Sequence, residues 1–213
     1  MKLLITAGAT REAIDPVRYL SNVSTGKTGA ALATEFSRRG HVVTLLRGEG
    51  SAAPTVEVAI QSFGSALDLQ KKLQVLLTAG NFDVVIMAAA VADYRPEAVA
   101  SGKLSSDEET LTLNLVRNAK ILPQLRGFSA RPLVVIGFKL TVGADAAARN
   151  KAVADQFTTS GVDAVVHNDL DEIAENEGHL FRLFIGPEKA PQELIGVAVL
   201  AQALDEYIGP RTT

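Results

Sequence analysis

The stretch Ser21–Gly29, with the sequence SNVSTGKTG, carries the Gly-Lys-Thr triplet with which a nucleotide-binding P-loop ends. A P-loop has the pattern G-x-x-x-x-G-K-[ST] and follows a strand directly. Here Ser21 occupies the position of the first glycine, and the first predicted strand, Lys2–Thr6, ends far upstream. We therefore predict that this stretch is not a P-loop. It is instead an anion-binding helix start, in which backbone N–H groups and the hydroxyls of Ser24 and Thr25 hold a negatively charged ligand.

The connection between the first strand and the first helix, AGATREAIDPVRYLSNVSTG, is unusually long. Such connections typically run about two to six residues, and a loop at the carboxyl end of a strand lies where open α/β sheets bind ligands. A surface loop without function is the alternative, but this loop leads into the predicted anion site. Lys27 either adds its charge there or points to solvent. The polar side chains of the loop are Thr10, Arg11, Glu12, Asp15, Arg18, Asn22, Ser24 and Thr25.

Further residues that could do chemistry follow later predicted strands. In MAAAVADYRP, the small residues Ala88–Ala90 allow a ligand to approach the backbone closely, and Asp93 lies beyond the strand end. Packing of small residues under a helix is the alternative. Lys103, in SGKLSS, is either a phosphate-binding lysine on a flap or an ordinary surface lysine. Phe138 is either a core residue or a nucleobase contact, and Asn118 is predicted to cap a short helix.

The histidines form no metal-binding pattern in the sequence. His167 is the candidate for general acid–base catalysis, and the neighbouring Asn168 either binds a ligand or terminates a strand. A dinucleotide site would need G-x-G-x-x-G after the first strand, but Gly8 is the sole glycine in TAGATREA. Arg47 could face the 2′-phosphate of NADP, although no Tyr-x-x-x-Lys pair for hydride transfer is present. A reductase is therefore an alternative with little support.

Short apolar runs alternate with helical patterns along the chain. This rhythm predicts an α/β fold: a Rossmann-like, doubly wound, mostly parallel sheet with helices on both faces, in a single domain over residues 1–213. Two stretches break this alternation of strands and helices. In Thr110–Val116, apolar and polar residues alternate strictly, which predicts a half-exposed strand, and Leu180–Ile185 has the pattern of an edge or antiparallel strand. Together they predict an antiparallel edge extension. The predicted parallel strands are Lys2–Thr6, Val42–Leu46, Asp83–Ala89, Leu133–Phe138 and Asp163–Val166. The predicted helices are Lys27–Arg39, Ala66–Leu77, Ala144–Thr158 and Pro191–Ile208, the last with proline at its first position.

Composition narrows the classes of function. The 213-residue chain has 47% apolar residues, a net charge of −3 and no cysteine. Disulfides, Cys–zinc sites and thiol nucleophiles are excluded, and no basic field argues for nucleic acid. The longest apolar stretch, Ile195–Leu204, is too short to span a bilayer, and no signal-peptide pattern is present. We expect a cytoplasmic protein that binds neither nucleic acid nor membrane.

Several segments together resemble the phosphopantothenoylcysteine synthetase family, also called phosphopantothenate–cysteine ligase. They are ITAGATREAIDPVRYLSNVSTGKTG, AAAVADYRP, the lysine of GKLSS, NAKIL, GFKL and DAVVHND. The segments occur in the family's order and cover the chain almost end to end. The resemblance implies an enzyme of coenzyme A biosynthesis on a Rossmann-like fold.

The chemistry that the resemblance implies has two steps. The carboxylate of phosphopantothenate attacks the α-phosphate of a nucleoside triphosphate, which releases pyrophosphate. The amine of L-cysteine then takes the acyl nucleotidylate, which gives phosphopantothenoylcysteine and the nucleoside monophosphate. Mg²⁺ is implied as the cofactor, CTP is favoured over ATP as the co-substrate, and no flavin is expected.

The resemblance also implies roles for individual residues. Asn22 matches the family's catalytic asparagine, which steadies the acyl carbonyl in both steps. Lys103 matches a lysine that grips the triphosphate from a flap. Residues that match the phosphopantothenate site are Arg18, Ser24, Thr25, Gly26 and Lys27. Residues that match the nucleotide site are Gly8, Ala88, Ala89, Ala90, Asp93, Lys103, Ala119, Lys120, Ile121, Leu122, Phe138, Lys151 and Asn168. The metal ligands stay open.

Many bacterial members of the family are fused behind a flavin-dependent decarboxylase domain with a catalytic cysteine. This chain starts at the ligase segment and has no cysteine, so it resembles the standalone form, and we expect no decarboxylase activity. The family forms homodimers, and a homodimer is therefore expected. Two alternatives stay open at this point: an NADP- or flavin-binding reductase, and a binding subunit without catalytic activity.

Overall fold

The computed structural model describes residues 1–107, 109–175 and 178–212. The strands are β1 (Lys2–Ala7), β2 (Arg11–Ala13), β3 (Tyr19–Ser21), β4 (Val42–Gly48), β5 (Ala59–Phe63), β6 (Val84–Met87), β7 (Tyr94–Pro96), β8 (Leu115–Arg117), β9 (Val134–Thr141), β10 (Ala164–Asp169), β11 (Leu180–Phe184) and β12 (Gln192–Ile195). The helices are α1 (Lys27–Arg38), α2 (Ala66–Gly80), α3 (Leu125–Phe128), α4 (Ala146–Ser160), α5 (Leu170–Glu175) and α6 (Val197–Ile208), with 3₁₀ turns at Leu122–Gln124 and Gly209–Arg211.

One eight-stranded sheet organises the fold, in the order β12-β11-β10-β9-β6-β1-β4-β5. The strands from β10 to β5 are parallel, and β11 and β12 form an antiparallel edge. Numbered along the chain, the parallel strands lie in the order 3-2-1-4-5-6, which is the Rossmann arrangement. The order reverses between β1 and β6, and open sheets of this type bind ligands outside the carboxyl ends of the strands at that reversal. The predicted fold class is confirmed.

The central strands carry continuous apolar runs, such as Leu3–Ile5 and Val84–Met87, because helices cover both faces of the sheet. On one face, Leu3 and Ile5 of β1 are fully buried in a cluster that includes Phe36 of α1. On the other face, Leu4 is fully buried in a second cluster that includes Leu73 of α2. Consecutive side chains of β1 therefore pack into two separate halves of the core, one on each face of the sheet. This packing fixes the carboxyl end of β1, from which the long connection departs.

Glycine allows helix α1 to lie close against β1. A Cβ at Gly29, in the first turn, would lie 2.6 Å from the Cβ of Ala7 and 2.9 Å from the backbone oxygen of Thr6. A side chain there would push the helix away from the strand. The first turn of α1 is thus held directly beside the end of β1.

Two sequence predictions about elements are wrong. Of the stretch Thr110–Val116, only the end forms a strand, β8, which pairs with β7 rather than with the main sheet. Alternation alone did not reveal that the preceding residues have no neighbouring strand. The predicted helix Pro191–Ile208 is instead β12 followed by α6, because Gly196, with φ of 86°, separates them. Leu180–Ile185 does form the predicted antiparallel strand, β11.

Candidate active site

The long connection and the segment after β6 lie side by side at the reversal of strand order. Ala9 and Ala90 form an isolated parallel bridge. The N–H of Thr10 donates to the oxygen of Ala90 at 3.1 Å, and the N–H of Ala90 donates to the oxygen of Gly8 at 2.8 Å. In addition, the Thr10 hydroxyl accepts from the N–H of Ala92 at 3.0 Å. The two strongest sequence motifs therefore meet in one place.

Gly8 and Gly26 provide the space in which this turn closes. Both have positive φ, 83° and 74°, a conformation that side chains disfavour. A Cβ at Gly8 would lie 1.8 Å from Oγ of Ser51, and a Cβ at Gly26 would lie 2.9 Å from Cβ of Ser51 and 3.0 Å from the backbone nitrogen of Gly8. Both glycines are therefore required by conformation and by space.

Gly26 is the N-cap of helix α1. Gly26 makes no side-chain cap, and Oγ1 of Thr25 accepts from the N–H of Lys27 at 3.4 Å. Among the described residues, the next two N–H groups of the helix are available to a ligand. Ser24 is half-buried, whereas Thr25 and Lys27 are exposed. The oxygen of Thr25 accepts from the N–H of Ala52 at 2.9 Å, which ties the helix start to the segment after β4. A helix start of this kind can bind an anion, and the anion site stays a prediction.

A pocket of about 350 Å³ lies beside this turn. Asn22 and Ser24 line it from the end of the hairpin β2–β3, and Glu49 and Ser51 line it from the segment after β4. Asn22 is exposed, and no hydrogen bond to another described residue engages its amide group. The predicted catalytic asparagine thus presents a free amide to a pocket next to the anion site.

Glu49 and Ser51 were not among the sequence candidates. The run Arg47-Gly48-Glu49-Gly50-Ser51 follows β4, and it was considered only for a dinucleotide phosphate at Arg47. Two glycines and two polar residues at the carboxyl end of the second parallel strand are a signal that could have found them.

A buried carboxylate joins the hairpin to the segment that carries Lys103, residues 101–107, which we call the flap. Asp15 is only 3% exposed. Its Oδ2 accepts from the N–H of Leu104 and from Nη1 of Arg18, both at 3.1 Å. Arg18 Nη1 also donates to the oxygen of Leu104 at 3.2 Å. These contacts among Asp15, Arg18 and Leu104, which we call the carboxylate latch, hold the peptide bond that follows Lys103.

The pKa of Asp15 lies below its ordinary value. Burial by itself would raise this pKa, but hydrogen bonds from the N–H groups of Val17, Leu104 and Arg18, together with the charge of Arg18, outweigh burial and lower it. Asp15 is therefore ionised at neutral pH, and the latch is charge-assisted. Arg18, predicted at the phosphopantothenate site, is engaged in this latch.

The segment after β6 holds Ala88–Ala90 and Asp93 from the set of predicted nucleotide residues. The N–H of Ala89 donates to the hydroxyl of Thr6 at 3.0 Å. Asp93 and Lys120 form an exposed ion pair, with Nζ 2.5 Å from Oδ1. Ala119 is also exposed. These residues form an open polar surface beside the bridge between the two motifs.

The prediction that Asn118 caps a helix is wrong. The helical turn begins only at Leu122. Asn118 instead donates from Nδ2 to the oxygen of Ala92 at 2.9 Å, and so it ties the segment after β8 to the loop after β6. Ile121 is buried and Phe138 is half-buried, and both contribute to the core.

Among the described residues, Lys151 and Asn168 make no hydrogen bond or ion pair with the loops after β1 and β6. Lys151, on α4, forms an ion pair at 2.7 Å with Asp155 on the same helix. Asn168, at the end of β10, lies with Nδ2 3.1 Å from Nε2 of His179.

A buried polar cluster closes the carboxyl ends of β9 and β10. Asp169 Oδ2 accepts from the hydroxyl of Thr141 at 2.5 Å and from the N–H of Ala144 at 3.1 Å, and its Oδ1 accepts from the N–H of Gly143 at 2.9 Å. Nε2 of His167 lies 2.8 Å from the same hydroxyl. Because that hydroxyl donates to Asp169, Nε2 of His167 is the donor to it. Asp169 organises this cluster.

His167 is neutral in this environment. Burial lowers its pKa to about 4, and the positive charges of Arg182 and Arg149 act in the same direction, against smaller opposing effects of Asp169 and Glu172. The residue is 1% exposed. A general base must reach its substrate, so the structure assigns His167 to packing rather than to acid–base catalysis.

Residues 1–107, 109–175 and 178–212 contain no group of three or more His, Cys, Asp or Glu side chains that could hold a metal ion. No helix among them has the length and apolar character needed to cross a membrane.

The family follows from comparison with known proteins. Residues 1–184 match the DNA/pantothenate metabolism flavoprotein C-terminal domain. The chain belongs to this family. It is 35% identical over 179 residues to the coenzyme A biosynthesis bifunctional protein CoaBC of Thermococcus kodakarensis, which covers 84% of this chain and 44% of that protein. The Escherichia coli CoaBC is 31% identical over 219 residues, which covers 97% and 52%. The chain thus spans about half the length of these curated relatives.

Solved structures agree with the family's fold. The crystal structure of a CoaBC C-terminal domain matches with a TM-score of 0.76 and 27% identity, and the match covers 99% of this chain and 94% of that one. The DNA/pantothenate metabolism flavoprotein from Streptococcus pneumoniae has the same fold, with a TM-score of 0.88, 24% identity and 99% of both chains covered. A Cab2 mutant in complex with phosphopantothenate-cysteine shares the fold at a TM-score of 0.79 and 17% identity, over 99% and 86% of the two chains.

Proposed function

We propose that this chain joins phosphopantothenate to L-cysteine through an acyl nucleotidylate, at the site between β1 and β6. The observation that carries the proposal is the bridge between Ala9 and Ala90, because it brings the loop with Asn22 together with the segment that carries Asp93. Membership of a family with coenzyme A biosynthesis proteins supports it. So does the fold shared with a protein bound to phosphopantothenate-cysteine.

In the first step, a carboxylate oxygen of phosphopantothenate attacks the α-phosphorus of the triphosphate. The bond between the α-phosphorus and the bridging oxygen breaks, and pyrophosphate leaves. The N–H groups at the start of α1, with Ser24 and Thr25, hold an anionic group of phosphopantothenate. Lys103 reaches the triphosphate from the flap, where the carboxylate latch holds the chain. The rate gain comes from fixed geometry and from positive charge placed near the phosphates.

In the second step, the cysteine nitrogen attacks the acyl carbon of the nucleotidylate. The bond from the acyl carbon to the phosphate oxygen breaks, the nucleoside monophosphate leaves, and the nitrogen releases a proton. The amide of Asn22 donates to the acyl oxygen as negative charge develops on it. A donor that is already in place costs no reorganisation during the reaction.

The nucleotide lies along the segment after β6 in this proposal. The small residues Ala88–Ala90 let it approach the backbone, and Asp93 and Lys120 flank it. CTP is favoured over ATP as the co-substrate, as the sequence resemblance implies. Mg²⁺, when bound, supplies charge neutralisation on the phosphates. It often uses one or two carboxylates with substrate phosphates as its ligands, and the exposed carboxylate of Asp93 fits that role.

Exposed apolar side chains near the hairpin β2–β3 support a homodimer. Tyr19 is 51% exposed and Val23 is fully exposed, and Tyr94 and Leu115 on the hairpin β7–β8 are also exposed. Hydrophobic side chains that group on one surface often mark a protein interface. We propose that a second copy of the chain covers them, and light scattering on Leu115→Glu tests this, because a dimer through this surface becomes a monomer.

Product analysis tests the proposed function. Purified protein is incubated with phosphopantothenate, L-cysteine, Mg²⁺ and CTP, and the products are measured by mass spectrometry. The proposal predicts phosphopantothenoylcysteine and CMP in equal amounts. CDP in place of CMP would contradict attack at the α-phosphorus. The reductase alternative gains no support, since Arg47 is its one favourable feature.

A further inference from the structure

Arg11 presents a guanidinium group to the pocket that contains Asn22. On the hairpin, Arg11 pairs in register with Ser21, the residue before Asn22. Its guanidinium lies over the ring of Tyr19, 4.7 Å from the centroid. A Cβ at Gly50 would lie 2.7 Å from Nη2 of Arg11. The absence of a side chain at Gly50 therefore leaves room for the guanidinium of Arg11. The guanidinium is therefore positioned by two neighbours.

The donors of this guanidinium are unused. Among the described residues, no hydrogen bond engages the side chain of Arg11. Its ion pair is with Glu49, and the distance from Nη1 to Oε2 is 4.0 Å, which is too long for a hydrogen bond. Glu49 is 59% exposed in its side chain and lines the same pocket. A positive and a negative group thus face one pocket without satisfying each other.

A pair of this kind matches a zwitterion better than a simple anion. An arginine fork binds a carboxylate through two parallel hydrogen bonds, and a glutamate binds an ammonium group. A phosphate would be attracted by Arg11 but repelled by Glu49. An α-amino acid carries a carboxylate and an ammonium group on one carbon, so it can satisfy both side chains at once.

We propose that Arg11 and Glu49 form the subsite for the α-amino acid substrate, with the carboxylate on Arg11 and the amino group on Glu49. This inference rests on the proposed ligase function for the identity of the amino acid as cysteine. It places the amino group in the same pocket that Asn22 lines, where the acyl carbon is expected. It also makes Arg11 the residue that distinguishes an amino acid from a simple amine.

Cysteamine, which has the thiol and the amine of cysteine but no carboxylate, tests this assignment. The kcat/KM values for L-cysteine and cysteamine are measured with wild type, Arg11→Gln and Arg11→Lys. Arg11→Gln lowers the preference for cysteine over cysteamine at least about tenfold, since a hydrogen bond to a charged group is lost. The preference of Arg11→Lys for cysteine over cysteamine falls between those of the wild type and Arg11→Gln, because lysine keeps the positive charge but lacks the two parallel donors of the guanidinium. Arg38→Gln, an exposed arginine on α1, is the matched control and keeps the wild-type preference.

Glu49→Gln provides the complementary measurement. It lowers kcat/KM for cysteine and for cysteamine alike, because both carry the amino group. Equal losses for the two amines in Arg11→Gln would overturn the proposal. The proposal would also be overturned if Arg11→Gln no longer released pyrophosphate in a reaction that contains no amine, because Arg11 would then serve phosphopantothenate. Thermal unfolding of each variant identifies any loss of folded protein, and Arg11→Lys keeps the test valid if Arg11→Gln does not fold.

Direct binding separates this proposal from the proposed function. If wild-type protein releases no pyrophosphate with phosphopantothenate, the ligase proposal fails, but the subsite is still testable. Saturation-transfer NMR then measures L-cysteine binding to wild type and to Arg11→Gln. Binding to wild type that the variant loses supports the subsite. Equal binding, or no binding to wild type, overturns it.

Discussion

The carboxylate latch makes Asp15 the residue that positions Lys103. In Asp15→Asn, Oδ1 still accepts from the N–H groups of Val17 and Arg18, as it does in the wild type. The amide nitrogen, however, then faces two donors, the N–H of Leu104 and Nη1 of Arg18. We therefore expect the flap to detach from the hairpin more often, while the turn at Asp15 stays formed.

The size of the effect follows from the contacts that hold the flap. Asp15→Asn removes the bond from the Leu104 N–H, whereas the bond from Ala100 to Ile14, at 3.0 Å, is unchanged. One hydrogen bond to a charged group changes an equilibrium roughly ten- to hundredfold. The open population of the flap should therefore rise about tenfold or more.

Trypsin measures this opening directly, because it cleaves after Lys103 at the peptide bond that the latch holds. When closing is fast relative to cleavage, the cleavage rate follows the equilibrium population of the open form. Mass spectrometry of the fragments gives the rate at this bond, and cleavage after Arg38 on α1 reports any general loosening of the fold. The variant should be cut about tenfold faster after Lys103 and equally fast after Arg38.

Asp107→Asn is the matched control, since Asp107 is on the same flap but contacts Ser105 rather than the hairpin. It should be cut at the wild-type rate. In catalysis, Asp15→Asn should raise the KM for the triphosphate more than the KM for cysteine. An unchanged rate of cleavage after Lys103 in Asp15→Asn would refute the latch.

Three further predictions follow from the site and the core. Asn22→Ala should keep nucleotide binding, measured by calorimetry, but stop net ligation; full turnover would remove Asn22 from the acyl centre. Gly26→Ala should lose about 1–2 kcal/mol of unfolding free energy in a denaturant titration, because a side chain disfavours its positive φ, and it should bind phosphopantothenate more weakly. His167, with its folded pKa of about 4 against an ordinary 6.5, should make stability fall as pH falls across that window, because the unfolded chain binds the proton first. Melting temperatures against pH should show a shallower slope for His167→Gln; equal slopes would contradict this.

The parallel sheet was predictable because its strands are buried on both faces. Runs such as Leu3–Ile5 and Leu133–Ile136 are continuously apolar, a pattern that an exposed strand does not need. β5 was missed for the opposite reason: it lies at the sheet edge, and most of it is exposed. β12 was assigned to a helix because its residues join the apolar start of α6 without a visible break in hydrophobicity.

The candidate site was predictable as a set of segments but not as a set of contacts. The long loop after β1 and the small residues after β6 predict a ligand site, because both follow the carboxyl ends of parallel strands. The latch joins Asp15 to Leu104, which are 89 residues apart, and no local pattern encodes that pairing. In the same way, Glu49 becomes significant only once β4 has placed it opposite Arg11.

Pyrophosphate release without cysteine tests the central claim most directly. Purified protein is incubated with Mg²⁺, with either CTP or ATP, and with or without phosphopantothenate, and pyrophosphate is measured by a coupled assay. Formation of an acyl nucleotidylate predicts release that requires phosphopantothenate, that is larger with CTP than with ATP, and that rises further when cysteine is added. Release that does not depend on phosphopantothenate, or no release with either triphosphate, would contradict the proposed ligase.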